Sequence, residues 1–284
     1  MICYKMIIDD SYRLDYFDSE EQDKLISEDL CEIYTVFKYI STGLHYNSNC
    51  LRGLKILDIG CGSGENCSLA LSHGAEFVAG IDLSSSIIQE AQNNFSKANI
   101  DNSRFLFAKA NIFSMQSVEF NLPLCTFENF FDRVMSCWTI SQAKSITDVR
   151  ELLFLSRRYI KPGGDIVILI VNPLIIANFP AVKELPRIQN LRLVDVIEDK
   201  DHFKLKSHIL HPFTEEVLME VNHNIYSIEQ IKNVIHELGL QFKHSGNLEL
   251  TQRDELARYP FEMISKELSK DVTLGYFLHL KKPK

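Results

Sequence analysis

The sequence predicts an α/β protein built on a doubly wound, mostly parallel sheet. Three observations carry this: short apolar runs alternate with helical periodicity from residue 55 onward, a glycine-rich turn follows the first run, and the most apolar run is nearly all Ile, Val and Leu, as in a strand covered on both faces. At 284 residues, with 45% hydrophobic and 24% charged residues, the chain has the composition of a globular domain with embellishments.

The elements follow in order. Residues 20–46 place Leu25, Ile26, Leu30, Ile33, Tyr34, Phe37 and Ile40 at helical spacing, with acids near the start where a helix dipole favours them. This N-terminal helical lid covers residues 1–50. Lys55 to Gly60 reads as the first strand, Ser63 to Ser72 as a helix stopped by Gly74, and Phe77 to Asp82 as the second strand. Ser86 to Ile100 reads as a helix, with Ser86 and Gln89 spaced as a capping box. Phe105 to Ala110, Phe131 to Trp138 and Asp165 to Asn172 are the third to fifth strands, with a helix from Val149 to Tyr159 before Lys-Pro-Gly-Gly. A binding core thus spans 51–172.

Residues 173–226 break the alternation and are too long for a plain connection. They read as a cap inserted over the ligand cleft, with a short strand pair in "DHFKLKSHIL" and "EVLMEV". Residues 227–284 then add a helix, Ser227 to Leu238 with Gly239 as its stop, and two strands in "LQFKHSGNL" and "GYFLHLKK", which complete a seven-stranded sheet.

Charge and cysteine content narrow the function. A net charge of −8 disfavours a protein that draws its affinity from neutralising phosphates, so nucleic acid is set aside as partner. The seven cysteines show no zinc-site spacing, which implies reduced thiols, a cytoplasmic protein and no metal. The start lacks the apolar stretch of a secretory signal, and Asn172, Pro173, Asn178 and Pro180 interrupt the most apolar region, so no membrane span is expected.

The chemistry centres on "ILDIGCGSG". Gly60, Gly62 and Gly64 alternate between strand and helix, and the place of the third glycine in a dinucleotide fingerprint is held by Glu65, a carboxylate unfavourable beside a pyrophosphate. The loop should bring backbone N–H groups towards a polar end of some other ligand. Asp82 closes the second strand roughly 20 residues on, where an acid can accept both hydroxyls of a ribose. A small zwitterion plus a ribose describes S-adenosylmethionine.

"ILDIGCGSG", "GIDLSSSIIQEA", "FAKANIF", "FDRVMSCWTI" and "RRYIKPGGDIVIL", in this order, resemble the successive motifs of class I S-adenosylmethionine-dependent methyltransferases of the small-molecule type, over roughly residues 50–172. The resemblance implies a Rossmann-like core. It implies that Asp58 and the backbone of Gly60, Cys61, Gly62, Ser63 and Gly64 face the methionine end, that Asp82 holds the ribose, and that Leu83 and Ile87 lie near the adenine. Asn111 stands where the family commonly has Asp, at the adenine edge with Ile112 packed beside it, and Cys137 lines the sulfonium. An N-terminal tyrosine, Tyr12 or Tyr16, covers the cofactor in similar enzymes; Tyr16 is the candidate kept here.

Two readings stand for Trp138, a core aromatic or a wall of the acceptor site facing the sulfonium. Cys61 and Cys137 read as packing residues rather than nucleophiles. Of His208, His211 and His223, each most simply a surface or core histidine, His211 is the first choice for a catalytic base and substrate contact. "SCWTI" replaces the Asn/Asp-Pro-Pro-Tyr/Phe motif of amino-methyltransferases acting on DNA or protein amides, which favours methyl transfer to a small organic acceptor. The alternative is a non-catalytic S-adenosylmethionine-binding scaffold or regulator; a nicotinamide oxidoreductase is disfavoured by Glu65.

Overall fold

The computed structural model of the chain describes residues 30–43, 47–114, 127–180, 191–211, 214, 216–248 and 275–284. Tyr12, Tyr16 and the first part of the predicted N-terminal helix lie outside them. Helix α1 (Leu30–Ile40) packs across the main sheet, with Phe37 and Ile40 fully buried and Tyr39 stacked on Phe277.

The main sheet has seven strands, β1 (Lys55–Ile59), β2 (Phe77–Asp82), β3 (Phe105–Lys109), β4 (Phe131–Cys137), β5 (Ile160–Val171), β9 (Gln241–Asn247) and β10 (Gly275–Lys281). Their spatial order is β3-β2-β1-β4-β5-β10-β9. The first five pair in parallel, and β10 runs antiparallel to both neighbours. Strand order reverses between β1 and β4, and a crevice opens at the carboxyl ends of strands on either side of such a reversal.

Helices α2 (Glu65–Ser72), α3 (Ser85–Lys97), α4 (Ile146–Tyr159) and α5 (Ile228–Glu237) flank the sheet. Alternation divides β5 between the two layers: Val167, Leu169 and Val171 join the cluster holding α1, α2 and α3, while Ile166, Ile168 and Ile170 join that of α4 and α5. Both faces are covered, so the run is apolar without a polar alternate.

Several boundaries differ from those the sequence predicts, four of them for reasons visible in the structure. Helix α3 is capped by Ser84, whose hydroxyl accepts the Ile87 N–H at 3.4 Å, because Asp82 Oδ1 holds the Ser84 N–H at 3.0 Å and keeps Ser84 extended. Ser86 meets the Ser84 hydroxyl, and Gln89 turns to Asn93. Ser84→Ala should therefore cost about 1 kcal/mol in chemical denaturation, and Ser86→Ala much less. Strand β5 starts at Ile160 and carries Lys-Pro-Gly-Gly as an irregularity within its pairing to β4; Gly163 takes φ 79°, and a Cβ on Gly164 would approach the Asp132 carbonyl to 2.8 Å. Helix α4 begins at Ile146 under a Ser145 cap. Strand β4 ends at Cys137, and Trp138 adopts φ 65°, ψ −6°, turning the chain into a 3₁₀ turn, Thr139–Gln142.

Among the described residues of 173–226 the chain forms a helical turn (Leu174–Ala177) and a three-stranded antiparallel sheet, β6 (Leu191–Asp199), β7 (His202–Leu210) and β8 (Val217–Ile225), with β7 central. The sequence showed the β7–β8 pair; β6 escaped because a register shift between Leu193 and Asp195 breaks its alternation. This sheet packs on the Thr139–Gln142 turn, and Tyr226 donates its hydroxyl to the Ala143 carbonyl at 2.8 Å.

Candidate active site

The glycine turn is held mostly by the protein's own bonds. Gly60 N–H and Cys61 N–H both donate to the Ile81 carbonyl, at 2.8 and 3.0 Å, Gly62 N–H donates to Asp82 Oδ2 at 3.1 Å, and Gly64 N–H to the Cys61 carbonyl at 3.1 Å. This corrects the expectation that the loop presents a row of donors: four of its amides are spent on the end of β2 and on the loop itself. A pyrophosphate, which needs such donors, is poorly served.

The three glycines have different tasks. All have positive φ, 77°, 53° and 86°. A Cβ on Gly60 would come 2.1 Å from the Thr139 hydroxyl, and one on Gly64 would come 2.9 Å from the Phe107 ring. A Cβ on Gly62 meets nothing within 4 Å. Gly60 and Gly64 serve packing, and Gly62 alone faces open space. Gly60→Ala should unfold or severely destabilise the domain, whereas Gly62→Ala should cost about 1 kcal/mol of stability, the left-handed penalty, and act mainly on ligand affinity. Thermal unfolding and calorimetry on the two variants check the contrast.

Beneath the turn lies Asp58, completely buried on β1. Its Oδ2 accepts the Cys67 thiol at 3.8 Å, and its Oδ1 has no partner among the described residues. Burial first, and the neighbouring charge of Asp82 second, push its carboxyl up to about 7. A buried carboxylate in this state favours a cation or a donor at the mouth of the loop.

Asp82 is half-buried and braced at both oxygens, by Gly62 N–H and by Ser84 N–H. An ionised carboxylate has about four acceptor sites, so both oxygens retain capacity for further donors. Leu83 beside it is 53% exposed, unusual for a leucine at a strand end, and Ile87 is half-buried. At the end of β3, Ala110 N–H bonds to the Asp82 carbonyl at 2.8 Å, Ile112 is buried, and Asn111 Oδ1 accepts the Phe113 N–H at 3.1 Å. Beyond that bond Asn111 brings amide hydrogens, donors that the family's usual Asp lacks.

At the end of β4 the Ile59 carbonyl accepts the hydroxyls of Ser136 at 2.8 Å and Thr139 at 3.0 Å, tying β4 to β1 at the reversal point. Cys137 is buried beside them. Cys61 fills the notch left by Gly80, whose Cβ would lie 2.7 Å from its sulfur. Trp138 is buried, its N–H bonded to the Leu169 carbonyl at 2.9 Å and its indole edge packed where a Cβ on Gly275 would be. The structure thus brings Asp58, Gly62, Asp82, Leu83, Asn111 and Cys137 to the carboxyl ends of four adjacent strands. His211 is half-buried and closes the β7–β8 turn through its N–H to the Glu216 carbonyl, at the end of the small sheet remote from the Tyr226 anchor. Its Pro212 neighbour lies outside the described residues. Among the described residues, no group of His, Cys, Asp or Glu side chains gathers to hold a metal ion.

A methyltransferase-domain family model matches residues 51–217, more than half of the chain and the whole of this site. The chain belongs to the methyltransferase family. Curated relatives match over shorter stretches: an uncharacterised Haemophilus influenzae protein, 40% identical over 55 residues, and the ribosomal protein L11 methyltransferase of Lachnospira eligens, 32% identical over 101 residues. These matches are 19% and 36% of this chain and span only 22% and 28% of the relatives' own length.

Solved structures extend the likeness to the whole methyltransferase fold. An S-adenosylmethionine-dependent methyltransferase from Clostridium acetobutylicum superposes with a TM-score of 0.56 at 15% identity, covering 94% of this chain and 100% of that one. A Pyrococcus horikoshii protein gives 0.57 at 16% identity, over 95% and 94% of the two chains. The geranyl diphosphate C-methyltransferase of Streptomyces coelicolor, solved with S-adenosylhomocysteine, gives 0.54 at 14%, over 97% and 90%. The fold is that of the class I, Rossmann-like methyltransferases.

The site fits the cofactor of this family on its own features. The unpartnered oxygen of Asp58 suits an ammonium group, the open side of Gly62 leaves room against the main chain, and the braced Asp82 carboxylate suits a diol. Cys67, which donates to Asp58, and Thr139, which excludes any side chain at position 60, were not singled out in the sequence. Their only signal there was position, one a turn into the helix after the loop and the other directly after β4.

Proposed function

We propose that the protein catalyses methyl transfer from S-adenosylmethionine to a small organic acceptor through an oxygen or nitrogen nucleophile. The observation that carries this reading is the braced carboxylate of Asp82, with exposed Leu83 at its side and open space over Gly62. The bound cofactor supplies an electrophilic sulfonium methyl. What falls to the protein is binding, orientation and exclusion of water. Asp82 accepts the ribose hydroxyls, Leu83, Ile87 and Ile112 pack on the adenine, and Asn111 donates at its edge. Asp58 and the carbonyls and open face of the Gly60–Gly64 segment receive the methionine end, and Cys137 and Trp138 border the sulfonium. His211, at its remote turn, is not needed in this scheme.

A net charge of −8 supports a small acceptor rather than a nucleic acid. Cys50, Cys61 and Cys67 carry free thiols, as suits the cytoplasm. No helix among the described residues is long and apolar enough to cross a membrane. Calorimetry with S-adenosylhomocysteine and with NADH tests the reading: the first should bind one per chain and the second should not, and the opposite result discards it.

One observation favours a second reading, a cofactor-binding protein that works through a catalytic partner: the burial of Trp138 under Gly275 and the turn that follows it. Release of tritium-labelled methyl product by the isolated chain, given a panel of small alcohols, phenols and amines, decides for the enzyme.

A further inference from the structure

The three-stranded sheet keeps its cations on one face. Lys204 and Lys206 of β7 pair there with Asp199 and Glu220, and His208 lies beside Glu220 at 3.6 Å. Alternation places Leu205, Ser207 and Ile209 of β7, with Val221, His223 and Ile225 of β8, on the other face, and all six are buried. The apolar members of this face share a cluster with Trp138, Val171 and Ile175, and the sheet packs on the Thr139–Gln142 turn. It therefore covers the carboxyl ends of β4 and β5.

Two buried hydroxyls in and facing this apolar layer have no hydrogen-bond partner among the described residues. Ser207 is fully buried and its hydroxyl has no hydrogen-bond partner among the described residues. The same holds for Ser141 Oγ on the facing turn, which is 1% exposed, and for Gln142 Nε2 next to it. Buried hydroxyls are almost always satisfied in native proteins, so one on the sheet and one on the turn that β8 packs against each ask for a partner beyond the described residues. His223, which pairs with Leu205 in register, is the diagonal neighbour of Ser207 on the same face and is 5% exposed.

We propose that this layer is the acceptor subsite, in which Ser141, Ser207 and His223 hold the neutral hydroxyl of an otherwise apolar molecule. The inference rests on the methyltransferase reading above and adds its substrate class, an apolar alcohol or phenol. A hydroxyl both accepts from a serine and donates to an imidazole. Desolvation pushes His223 down to about 4, which keeps the imidazole neutral at physiological pH. A carboxylate or phosphate would find Lys204 and Lys206 turned to the opposite face, and an alkylammonium would lose its hydration among Leu205, Ile209 and Val221.

The test uses the full chain saturated with S-adenosylhomocysteine, titrated by calorimetry with six apolar alcohols and phenols and their carboxylate counterparts, 1-naphthol against 1-naphthoic acid and geraniol against geranic acid among them. At least one hydroxyl compound should bind about tenfold or more tighter than its carboxylate. Ser207→Ala and His223→Phe should each weaken that compound by about tenfold while leaving S-adenosylhomocysteine affinity unchanged. Ser207→Ala should also melt no lower than the parent, since it removes an unpaired hydroxyl; should the His223 variant not fold, Ser207→Ala and Ser141→Ala carry the decision. Equal binding of the carboxylates, wild-type affinity in the serine variants, or no binding by any hydroxyl compound overturns the proposal. Failure of the parent protein to bind S-adenosylhomocysteine strikes the cofactor reading instead.

Discussion

Asp82→Asn should weaken S-adenosylhomocysteine binding by about a hundredfold or more. The carboxylate fixes Gly62 at 3.1 Å and Ser84 at 3.0 Å through its two oxygens, and in the proposed scheme its remaining lone pairs would take the ribose hydroxyls. An amide replaces one acceptor oxygen with a donor, so either a loop amide or a ribose hydroxyl is left opposite an N–H. Hydrogen bonds to charged groups contribute about 1.5–3 kcal/mol each, and one or two are lost. Helix α3 should loosen at its first turn if the amide nitrogen takes the place facing Ser84, whose N–H then loses its anchor. Calorimetry that finds the parent affinity retained would remove Asp82 from the ribose site.

Asp58→Asn should do two opposite things, raising the stability of the ligand-free protein at alkaline pH and lowering its affinity for the cofactor. The folded carboxyl titrates near 7 against an ordinary value of 3.8, so the folded state holds a proton that the unfolded chain has released between those values. Its contribution to stability is complete below about pH 4, falls as pH rises towards 7, and is a full penalty above that, on the order of 4 kcal/mol. Asparagine keeps the shape without the charge, so unfolding measured at pH 5 and pH 8 should show the slope in the parent and a flatter line in the variant. An ammonium placed against the loop would lose its counter-charge, and affinity should fall about tenfold or more. A variant no more stable than the parent at pH 8 refutes the buried-charge account.

The parts of the architecture that were legible in the sequence are those fixed by local periodicity. The five parallel strands appear as apolar runs at the expected places because each is buried on both faces, and the turn at residues 60–64 is visible because three positive φ angles demand glycine. What was not legible depends on partners distant in sequence. That Gly60 is required by Thr139, that Ser84 rather than Ser86 caps α3, and that the loop amides are consumed by Ile81 and Asp82 all follow from how β1, β2 and β4 meet. Strand β6 was hidden by its own irregular pairing. Ser207 could have been noticed: in "LKSHI" it takes the inward step between Leu205 and Ile209, where a hydroxyl is out of character.

Trp138 is the chain's single tryptophan, held in a left-handed turn at the end of β4 and sealed beneath Gly275. All indole emission therefore originates from one point, the end of β4. Its unliganded spectrum should be blue, as for a dry environment, and cofactor or acceptor entering next to it should shift or quench the signal. Rapid-mixing fluorescence can then time the order in which the two ligands arrive, with no label attached.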